Sequence, residues 1–298
     1  IELSDALELI KKRSSGPQEL RTLGDHPETG ETLILKDGRY GPYMTDGKVN
    51  ASLPRDADPE KLSLEIIPLI ALACLREEIS GMVTCPLNKE AIHAAGFVED
   101  LGHQEILARL ANVDWTATML MTPGLKVAHL STHKSLIEAA RYVTKDNISS
   151  KIALIHNTLS AWGMLAPKIA VAALNPHGGE GGLLGREEIE EIGPAIIESR
   201  DEGYDVTGPI PSDSVFYRTI DGEFDVVLAL YHDQGHIAIK VHNFHESITA
   251  TLGIPFVRTS VDHGTAFDIA GTGKAKEEGL ESAIRAANLI IDGKLDQF

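Results

Sequence analysis

The sequence predicts an α/β protein with a mainly parallel sheet and flanking helices, preceded by a small β-rich module. Three apolar, β-branched runs, beginning at Leu125, Lys168 and Asp225, are typical of strands buried on both faces of a parallel sheet. Helical patterns separate these runs, so helices and strands alternate after about residue 65. Before residue 65, glycine and proline punctuate short segments, which indicates short strands joined by tight turns.

Composition limits the classes of function. The 298 residues allow one large or two moderate domains, and a hydrophobic content of 43% suffices for a folded core. A formal charge of -17 disfavours non-specific binding of nucleic acid. Two cysteines provide no disulfide framework, and neither a signal-peptide pattern nor an apolar run of about 20 residues occurs. We therefore expect a cytoplasmic protein with no membrane partner.

The first 65 residues form the expected β-rich module. A short amphipathic helix is predicted at residues 3–12, and turn signals follow at 28–30, 36–38 and 45–47. The phrases HPETGE, LKDGRYGPY and GKVNASLP resemble the C-terminal repeat of bacterial type IA DNA topoisomerases. This resemblance implies DNA contacts through Arg39, Tyr40 and Tyr43. The alternative is that the two tyrosines pack inside a small domain.

The remaining elements follow in order. Helices are expected at residues 66–78, 90–95, 102–111, 135–162 (as a pair) and 186–202, and strands at 79–85, 117–122 and 126–131 besides the apolar runs. Residues 208–214 read as a loop. The segment 177–182 is too rich in glycine for regular structure, so its backbone bends sharply or approaches a ligand.

Each of the three apolar runs ends near a histidine: His133, His177 or His232. Ligands of open α/β sheets bind outside the carboxyl ends of the strands, so these imidazoles are expected close together. One such histidine is usually a hydrogen-bonded structural residue. Three in the same position predict a site for a divalent metal, which three protein ligands would leave open for catalysis, with Asp233 as a further candidate ligand.

A second group of chemically active residues lies between positions 240 and 274. Lys240 and Arg258 are cations beside apolar runs and suit a phosphate or carboxylate ligand, whereas a surface salt bridge is the alternative for each. We expect Arg258 on a strand that ends before a glycine-rich loop. Gly264, Gly271 and Gly273 leave room for a nucleotide, although no Gly-x-Gly-x-x-Gly motif follows a strand here.

Six motifs carry a second resemblance. They are CPLNKEA at 85–91, GHQE at 102–105, LSTH at 130–133, LNPHGGEGG at 174–182, YHDQG at 231–235 and RTSVDHG at 258–264. In order and spacing, residues 66–298 resemble the 4-hydroxythreonine-4-phosphate dehydrogenase family of pyridoxal-phosphate biosynthesis. The resemblance implies a fold like that of isocitrate and isopropylmalate dehydrogenases. It also implies NAD or NADP, a divalent metal (Zn, Mg, Mn or Co), and a homodimer with the active site at the subunit interface.

The resemblance assigns roles to individual residues. The metal ligands fall on His133, His177 and His232, and the catalytic residues on Asp213 and Lys240. Substrate contacts fall on His103, Gln104, Lys240, Thr249 and Arg258. The loop HGTAFDIAG resembles the adenine-side loop of those dehydrogenases, which gives His263, Gly264, Asp268 and Gly271 as cofactor-binding residues.

The sequence departs from the family at three places. Gln104 replaces a usual threonine, Thr249 replaces a usual asparagine, and the family's opening strand with its GDPAGIGPE turn has no counterpart. We therefore divide the chain into a topoisomerase-repeat-like module, residues 1–65, and a truncated dehydrogenase-like region, residues 66–298.

The expected function is metal-dependent, NAD-linked oxidation, with decarboxylation, of 4-phosphohydroxy-L-threonine. An alternative is the oxidation of D-threonate or D-erythronate 4-phosphate. A related subgroup of the family acts on these substrates, and His236 in YHDQGHIAIK resembles the corresponding motif of that subgroup. A third hypothesis, of another class, is an inactive dehydrogenase scaffold that carries a DNA-binding module.

Overall fold

The computed structural model describes residues 18–25, 32–38, 41–45, 50–52, 59–88, 102–269 and 272–298. The chain divides into two units, Ile1–Ile67 and Pro68–Phe298. The helices expected at 3–12 and 90–95 lie outside the described residues, as do Arg39, Tyr40 and Gly271. No helix in the described part of the chain combines the length and hydropathy needed to cross a membrane.

The first unit contains a four-stranded antiparallel sheet. Its strands, in sheet order, are β1 (Gln18–Asp25), β2 (Thr32–Gly38), β3 (Gly41–Thr45) and β4 (Asn50–Ser52). Neighbours in sequence are neighbours in the sheet, as expected when short turns connect the strands. The β-rich module predicted for this part of the chain is thus confirmed, and Tyr43 lies on β3.

Helix α1 (Pro59–Leu75) precedes an eight-stranded sheet. The strands of that sheet are β5 (Gly81–Thr84), β6 (Ala117–Thr122), β7 (Leu125–His129), β8 (Ile169–Ala172), β9 (Val206–Ile210), β10 (Val226–Ala229), β11 (Ile248–Leu252) and β12 (Val257–Val261). The α-helices after β5 are α2 (His103–Ala111), α3 (Leu136–Tyr142), α4 (Lys145–Ala161), α5 (Gly193–Asp201), α6 (Ser212–Ile220), α7 (His232–His242) and α8 (Glu278–Ile291). A 3-10 turn covers Pro176–Gly182, a π-turn Glu188–Ile192, and a final 3-10 turn Leu295–Gln297.

The strand order is β5-β12-β11-β6-β7-β10-β8-β9. The pairs β7–β10, β10–β8, β8–β9 and β12–β5 are parallel, whereas β6–β7, β11–β6 and β11–β12 are antiparallel. All residues of β7, β8 and β10 are buried, as their sequences predicted. The three apolar runs are therefore adjacent parallel strands, and their carboxyl ends lie at one edge of the sheet.

Helices cover both faces of this sheet. On one face, Ile148, Ile152 and Ile155 of α4 pack in a core that includes Leu228. On the other face, Val215 of α6 and Ile239 of α7 pack in a second core with Val227 and Ala229 of β10. Alternate residues of β10 thus pack into cores on opposite faces of the sheet. Burial of each large aliphatic side chain contributes about 1.5–3 kcal/mol to the free energy of folding.

Two predicted elements need correction. The loop expected at 208–214 is instead the end of β9 followed by the start of α6; proline is tolerated in β9 because this strand is at the edge of the sheet. The helix expected at 186–202 is divided between the π-turn and α5, where Pro194 lacks an N–H for the helical ladder. The prediction for Arg258 is confirmed, because it is the second residue of β12, which ends at Val261 before the loop that contains Gly264.

Candidate active site at the strand ends

A cavity of about 220 Å³ lies beside the ends of β7 and β10. It is lined by residues from α2, the loop after β7, α7, β11 and β12. Six predicted site residues line it: His103, Gln104, His133, His232, Thr249 and Arg258. His236 lines it as well. The structure therefore brings together most of the predicted substrate contacts and two of the three predicted metal ligands.

Arg258 provides a buried positive charge, since only 7% of the residue is exposed. Its guanidinium donates to the hydroxyl of Thr84 from Nη2 (2.6 Å) and Nε (3.1 Å), and to that of Thr251 from Nη1 (3.2 Å). No carboxylate forms an ion pair with it among the residues that the structure describes. Burial lowers the pKa of Arg258 to about 10, so it is charged at neutral pH. A buried, unpaired cation is costly, and an anionic ligand would offset that cost.

His103 begins α2 and lines the same cavity. Burial, and secondarily the charge of Arg258, lower the pKa of His103 to about 3. The imidazole is therefore neutral at physiological pH and offers a ligand one hydrogen-bond donor and one acceptor.

Gln104 ties α2 to the strand region around β6. Its Nε2 donates to Oγ1 of Thr116 (2.7 Å), and Oγ1 of Thr118 donates to its Oε1 (2.8 Å). Both ends of the amide are therefore occupied by protein groups. The hydroxyl of Thr249, the other departure from the family pattern, donates a long hydrogen bond of 3.5 Å to the Ser260 carbonyl.

Three histidines pack together at one wall of the cavity. The rings of His232 and His236 stack at 3.6 Å with an interplanar angle of 12°, and the His129 ring lies 4.7 Å from that of His236. Nδ1 of His236 donates to the carbonyl of His232 (3.0 Å). His129 is 2% exposed, and neither of its ring nitrogens has a hydrogen-bond partner among the described residues. Burial lowers the pKa of His236 and, to about 3, that of His129, so neutral rings are favoured.

Sequence reasoning did not identify His129. A signal was present, because an imidazole at position 129 ends a largely apolar strand, four residues before His133. The contact with His236 depends on α7 lying across the end of β7, which no local pattern indicates.

The described residues provide only part of the ligand set that the predicted metal site requires. His133 and His232 line one cavity, and Nδ1 of His232 donates to Asp233 (2.7 Å), which orients the ring as in many metal sites and leaves Nε2 for an ion. His177 does not line this cavity. Among the described residues, no group of three or more His, Cys, Asp or Glu side chains is arranged to hold a metal ion. One chain thus supplies two suitable imidazoles.

His177 lies on the exposed glycine-rich turn Pro176–Gly182. Its side chain is 66% exposed and Nδ1 donates to Oε1 of Glu180 (2.7 Å), which raises the pKa of the imidazole. Residues 177–181 all have positive φ, and a side chain on Gly179 would lie 2.8 Å from Oε2 of Glu188.

The buried carboxylate of Glu188 fixes the beginning of this turn. It accepts hydrogen bonds from the backbone N–H of Leu174 (2.9 Å) and Asn175 (2.7 Å), and from Nδ2 of Asn175 (2.9 Å). Sequence reasoning missed Glu188, because it reads as one of several acids on a charged helix.

Neither of the two predicted catalytic residues lines this cavity. Asp213, at the start of α6, lines a groove of about 730 Å³ between α6 and α7, and its charge contributes to the raised pKa of His177. Lys240 is one helical turn beyond His236. Its Nζ donates to the Asp262 carbonyl (3.0 Å) and pairs with Oδ2 of the same residue (3.2 Å).

The predicted cofactor residues follow β12. His263, Gly264 and Asp268 are exposed, and Nδ1 of His263 donates to the carbonyl of Gly264 (2.9 Å). None of the three lines the 220 Å³ cavity. Their role in binding a nucleotide stays a prediction.

Two family models match the chain. The model described as pyridoxal phosphate biosynthetic protein PdxA matches residues 53–287, and the topoisomerase C-terminal repeat matches residues 26–77. Both resemblances detected in the sequence are thus confirmed.

Similar proteins point to the same family. A putative D-threonate 4-phosphate dehydrogenase of Symbiobacterium thermophilum is 48% identical over 211 residues, which are 71% of this chain and 63% of that protein. D-threonate 4-phosphate dehydrogenase of Pectobacterium atrosepticum is 42% identical over 242 residues, 77% of this chain and 74% of that protein. The crystal structure of 4-hydroxythreonine-4-phosphate dehydrogenase from Klebsiella pneumoniae superposes with a TM-score of 0.72 at 43% identity, covering 78% of this chain and 71% of that one.

The chain thus spans less than two thirds of the length of the Symbiobacterium relative. The mixed α/β architecture with its mainly parallel central sheet agrees with the sequence prediction. By the extent of the match and the identity to these relatives, the chain belongs to the PdxA family of pyridoxal phosphate biosynthetic proteins.

Proposed function

We propose that this protein oxidises a four-carbon hydroxy acid phosphorylated at C4, with transfer of hydride to a nicotinamide cofactor, and that D-threonate 4-phosphate is its substrate. The observation that carries this proposal is the cavity in which the buried Arg258, which has no carboxylate partner among the described residues, adjoins neutral His103 and the imidazoles of His133 and His232. The names of the Symbiobacterium and Pectobacterium relatives support the choice of substrate.

Recognition of the substrate rests on charge. A guanidinium matches the oxygens of a phosphate or carboxylate and binds them through charge-assisted hydrogen bonds. Arg258 keeps Nη1 and Nη2 close to threonine hydroxyls, which fixes the orientation of its fork. His103 adds a neutral donor, and Lys240, positioned by Asp262, adds a second cation one turn from His236.

We assign the metal ligands to His133, His232 and His177, the last from this chain or from a second copy. When bound, a divalent ion such as zinc, magnesium, manganese or cobalt would polarise the substrate hydroxyl and stabilise negative charge on its oxygen. The pair His232–Asp233 would keep one imidazole nitrogen directed to that ion.

In the proposed reaction, NAD or NADP, when bound, would accept the hydride from the carbinol carbon of the substrate, and the hydroxyl would release its proton. Asp213 accepts or orients this proton, and Lys240 holds the anionic end of the substrate. The product is a β-keto acid. Its carboxylate leaves as carbon dioxide, and the resulting enolate takes up a proton to give the ketone.

4-Phosphohydroxy-L-threonine is the second candidate substrate, favoured by the name of the Klebsiella structure at 43% identity. It carries an amino group at C2 where D-threonate 4-phosphate carries a hydroxyl. The test is reduction of NAD or NADP by the full chain with each substrate, with D-erythronate 4-phosphate as a third, and with added divalent metal. No turnover of any of them by a metal-loaded dimer would refute the proposed function.

We also infer a homodimer that uses the groove between α6 and α7. Large apolar side chains are exposed on these helices and just beyond: Tyr217, Ile220, Ile237, Val241 and Phe244. Contiguous apolar surface of this kind marks protein interfaces, and Asp213 and Asp233 at the groove connect it to the proposed site. Sedimentation tests this inference: Val241→Glu should yield monomers, whereas the exposed Leu165→Glu, outside the groove, should leave the dimer intact.

The candidate function of another class is DNA binding by the first module, which the topoisomerase-repeat match over residues 26–77 suggests and whose boundary we place near residue 65. A gel shift with single-stranded DNA at low salt tests it, together with Arg39→Ala and Tyr43→Ala. The net charge of -17 opposes such binding, so we expect no shift.

A further inference from the structure

The side chain of Gln234 lies buried at the carboxyl edge of the sheet, with 8% of the residue exposed. It is the third residue of α7, two positions after His232. Its Oε1 accepts a hydrogen bond from the backbone N–H of Leu230 (2.6 Å). Its Nε2 donates to the carbonyl of Ala173 (2.8 Å) and to Oγ of Ser212 (2.8 Å). All polar atoms of this amide are therefore engaged.

Further hydrogen bonds extend this network on both sides of Gln234. Oγ of Ser212 also donates to the Ala173 carbonyl (2.8 Å). On the other side, Oγ of Ser131 donates to the carbonyl of Leu230 (3.1 Å). We call the side chains of Ser131, Ser212 and Gln234 the strand-end clamp.

The clamp connects the four adjacent strands β7, β10, β8 and β9 just beyond their carboxyl ends. Ser131 follows β7, Leu230 follows β10, Ala173 follows β8, and Ser212 follows β9. Backbone pairing of the sheet has ended or is ending at these positions, so side chains supply the remaining cross-links.

Each connected segment leads within a few residues to a proposed site residue. His133 is two residues after Ser131, His232 two after Leu230, His177 four after Ala173, and Asp213 directly after Ser212. The spacing between these segments therefore sets the spacing of the metal and proton-transfer groups.

We propose that Gln234 is a positioning residue, which through the strand-end clamp holds the four segments that carry His133, His177, His232 and Asp213. This inference rests on the proposed metal site. An amide suits the role because it accepts from one strand end and donates to two other segments at once. Groups that orient metal ligands from behind commonly change metal affinity by about 10–100-fold when they are removed.

The experiment is titration of the full chain with Co²⁺ alone, followed by the visible absorption of the bound ion. Gln234→Met, which keeps the volume without the hydrogen bonds, should weaken Co²⁺ binding by roughly 10–100-fold. Ser212→Ala should weaken it less, because the bonds from Gln234 to Ala173 and Leu230 survive. Gln234→Glu keeps the acceptor for the N–H of Leu230 but loses the N–H donors to Ala173 and Ser212. It replaces Gln234→Met in the titration if the methionine variant does not fold.

The matched control is Thr219→Val, which removes a buried hydrogen bond of 2.9 Å to the Val215 carbonyl on the same helix as Ser212, away from the strand ends. It should lower thermal stability and leave Co²⁺ affinity within about twofold of the parent. Equal Co²⁺ affinity in the parent, in Ser212→Ala and in every folded Gln234 variant would overturn the inference and leave the proposed metal site standing. A dimeric parent that binds no Co²⁺ would overturn both.

Discussion

The two halves of the proposed site differ in how much of their geometry one chain supplies. The anion-binding half, with Arg258 and His103, is buried and held by threonine hydroxyls on neighbouring strands. The other half is open: His177 lies on an exposed turn, and Asp213 faces a groove between two helices. The residues proposed to bind the anion thus lie together within a single chain, whereas we propose that a second copy completes the metal-binding half.

The largest effect is expected from the open half. Replacing His133, His177 or His232 with alanine should remove most of the bound metal and the turnover, while nicotinamide binding survives. If the histidines were independent structural residues, each variant would lose stability by its own local amount and keep its metal. Elemental analysis of the purified variants separates these results.

A control is needed for the parent chain in that experiment. A metal-free parent that is monomeric by sedimentation would show that dimerisation limits metal binding. A metal-free dimer would refute the three-histidine site.

The substitution Arg258→Met tests the anion-binding half of the proposed site. Loss of the buried guanidinium should lower kcat/KM for the phosphorylated acid by roughly 10²–10³-fold, about 3–4 kcal/mol, because the anion then has no desolvated counter-charge. The KM for nicotinamide should not change. Arg218→Met, which breaks a surface pair with Glu223, is the matched control and should change stability little and leave activity unchanged, because water screens an exposed ion pair.

Arg258→Lys distinguishes charge from geometry, since it keeps the cation and loses the fork. If both Arg258 variants bound the substrate as tightly as the parent, the anion pocket would have to lie elsewhere.

The close packing of α7 against β7 depends on Gly235. A Cβ at this position would lie 2.3 Å from Nε2 of His129, so Gly235→Ala should destabilise the protein by about 1–3 kcal/mol through overpacking. The double variant His129→Ala/Gly235→Ala should be less destabilised than the sum of the two single variants, because removal of the imidazole makes room for the methyl group. Urea unfolding of the four proteins measures this, and strict additivity would show that the two residues do not compete for space.

A smaller effect tests whether a buried cation by itself destabilises this fold. Burial lowers the pKa of Lys151 to about 8 from an ordinary value of 10.5. Between these two pH values the unfolded chain holds a proton that the folded chain has released, so stability should rise as the pH increases from about 8 to 10.5. Lys151→Met should abolish that rise and stabilise the protein at pH 7.

The exposed lysine variant Lys276→Met is the control, and it should keep the pH dependence of the parent. Denaturant unfolding at pH 7, 8, 9 and 10 reports both effects. A parent whose stability does not change over this range would contradict the pKa of Lys151.

Sequence alone determined the layered α/β fold, because strands buried on both faces carry an unbroken β-branched pattern, as in Val226–Ala229. It also determined which imidazoles follow the parallel strands, since carboxyl ends of such strands share an edge. The motif order then identified the family and singled out Arg258 and His103, which the structure brings to one cavity.

Tertiary structure decided the rest, because contacts between distant segments have no local pattern. Only the packing of α7 across β7 brings His129 against His236, 107 positions later in the chain. Only the three-dimensional arrangement of strand ends makes Gln234 a link between residues 173, 212 and 230. The turn carrying His177 likewise shows why sequence spacing was insufficient: it contains five successive positive φ angles, and its imidazole does not line the cavity.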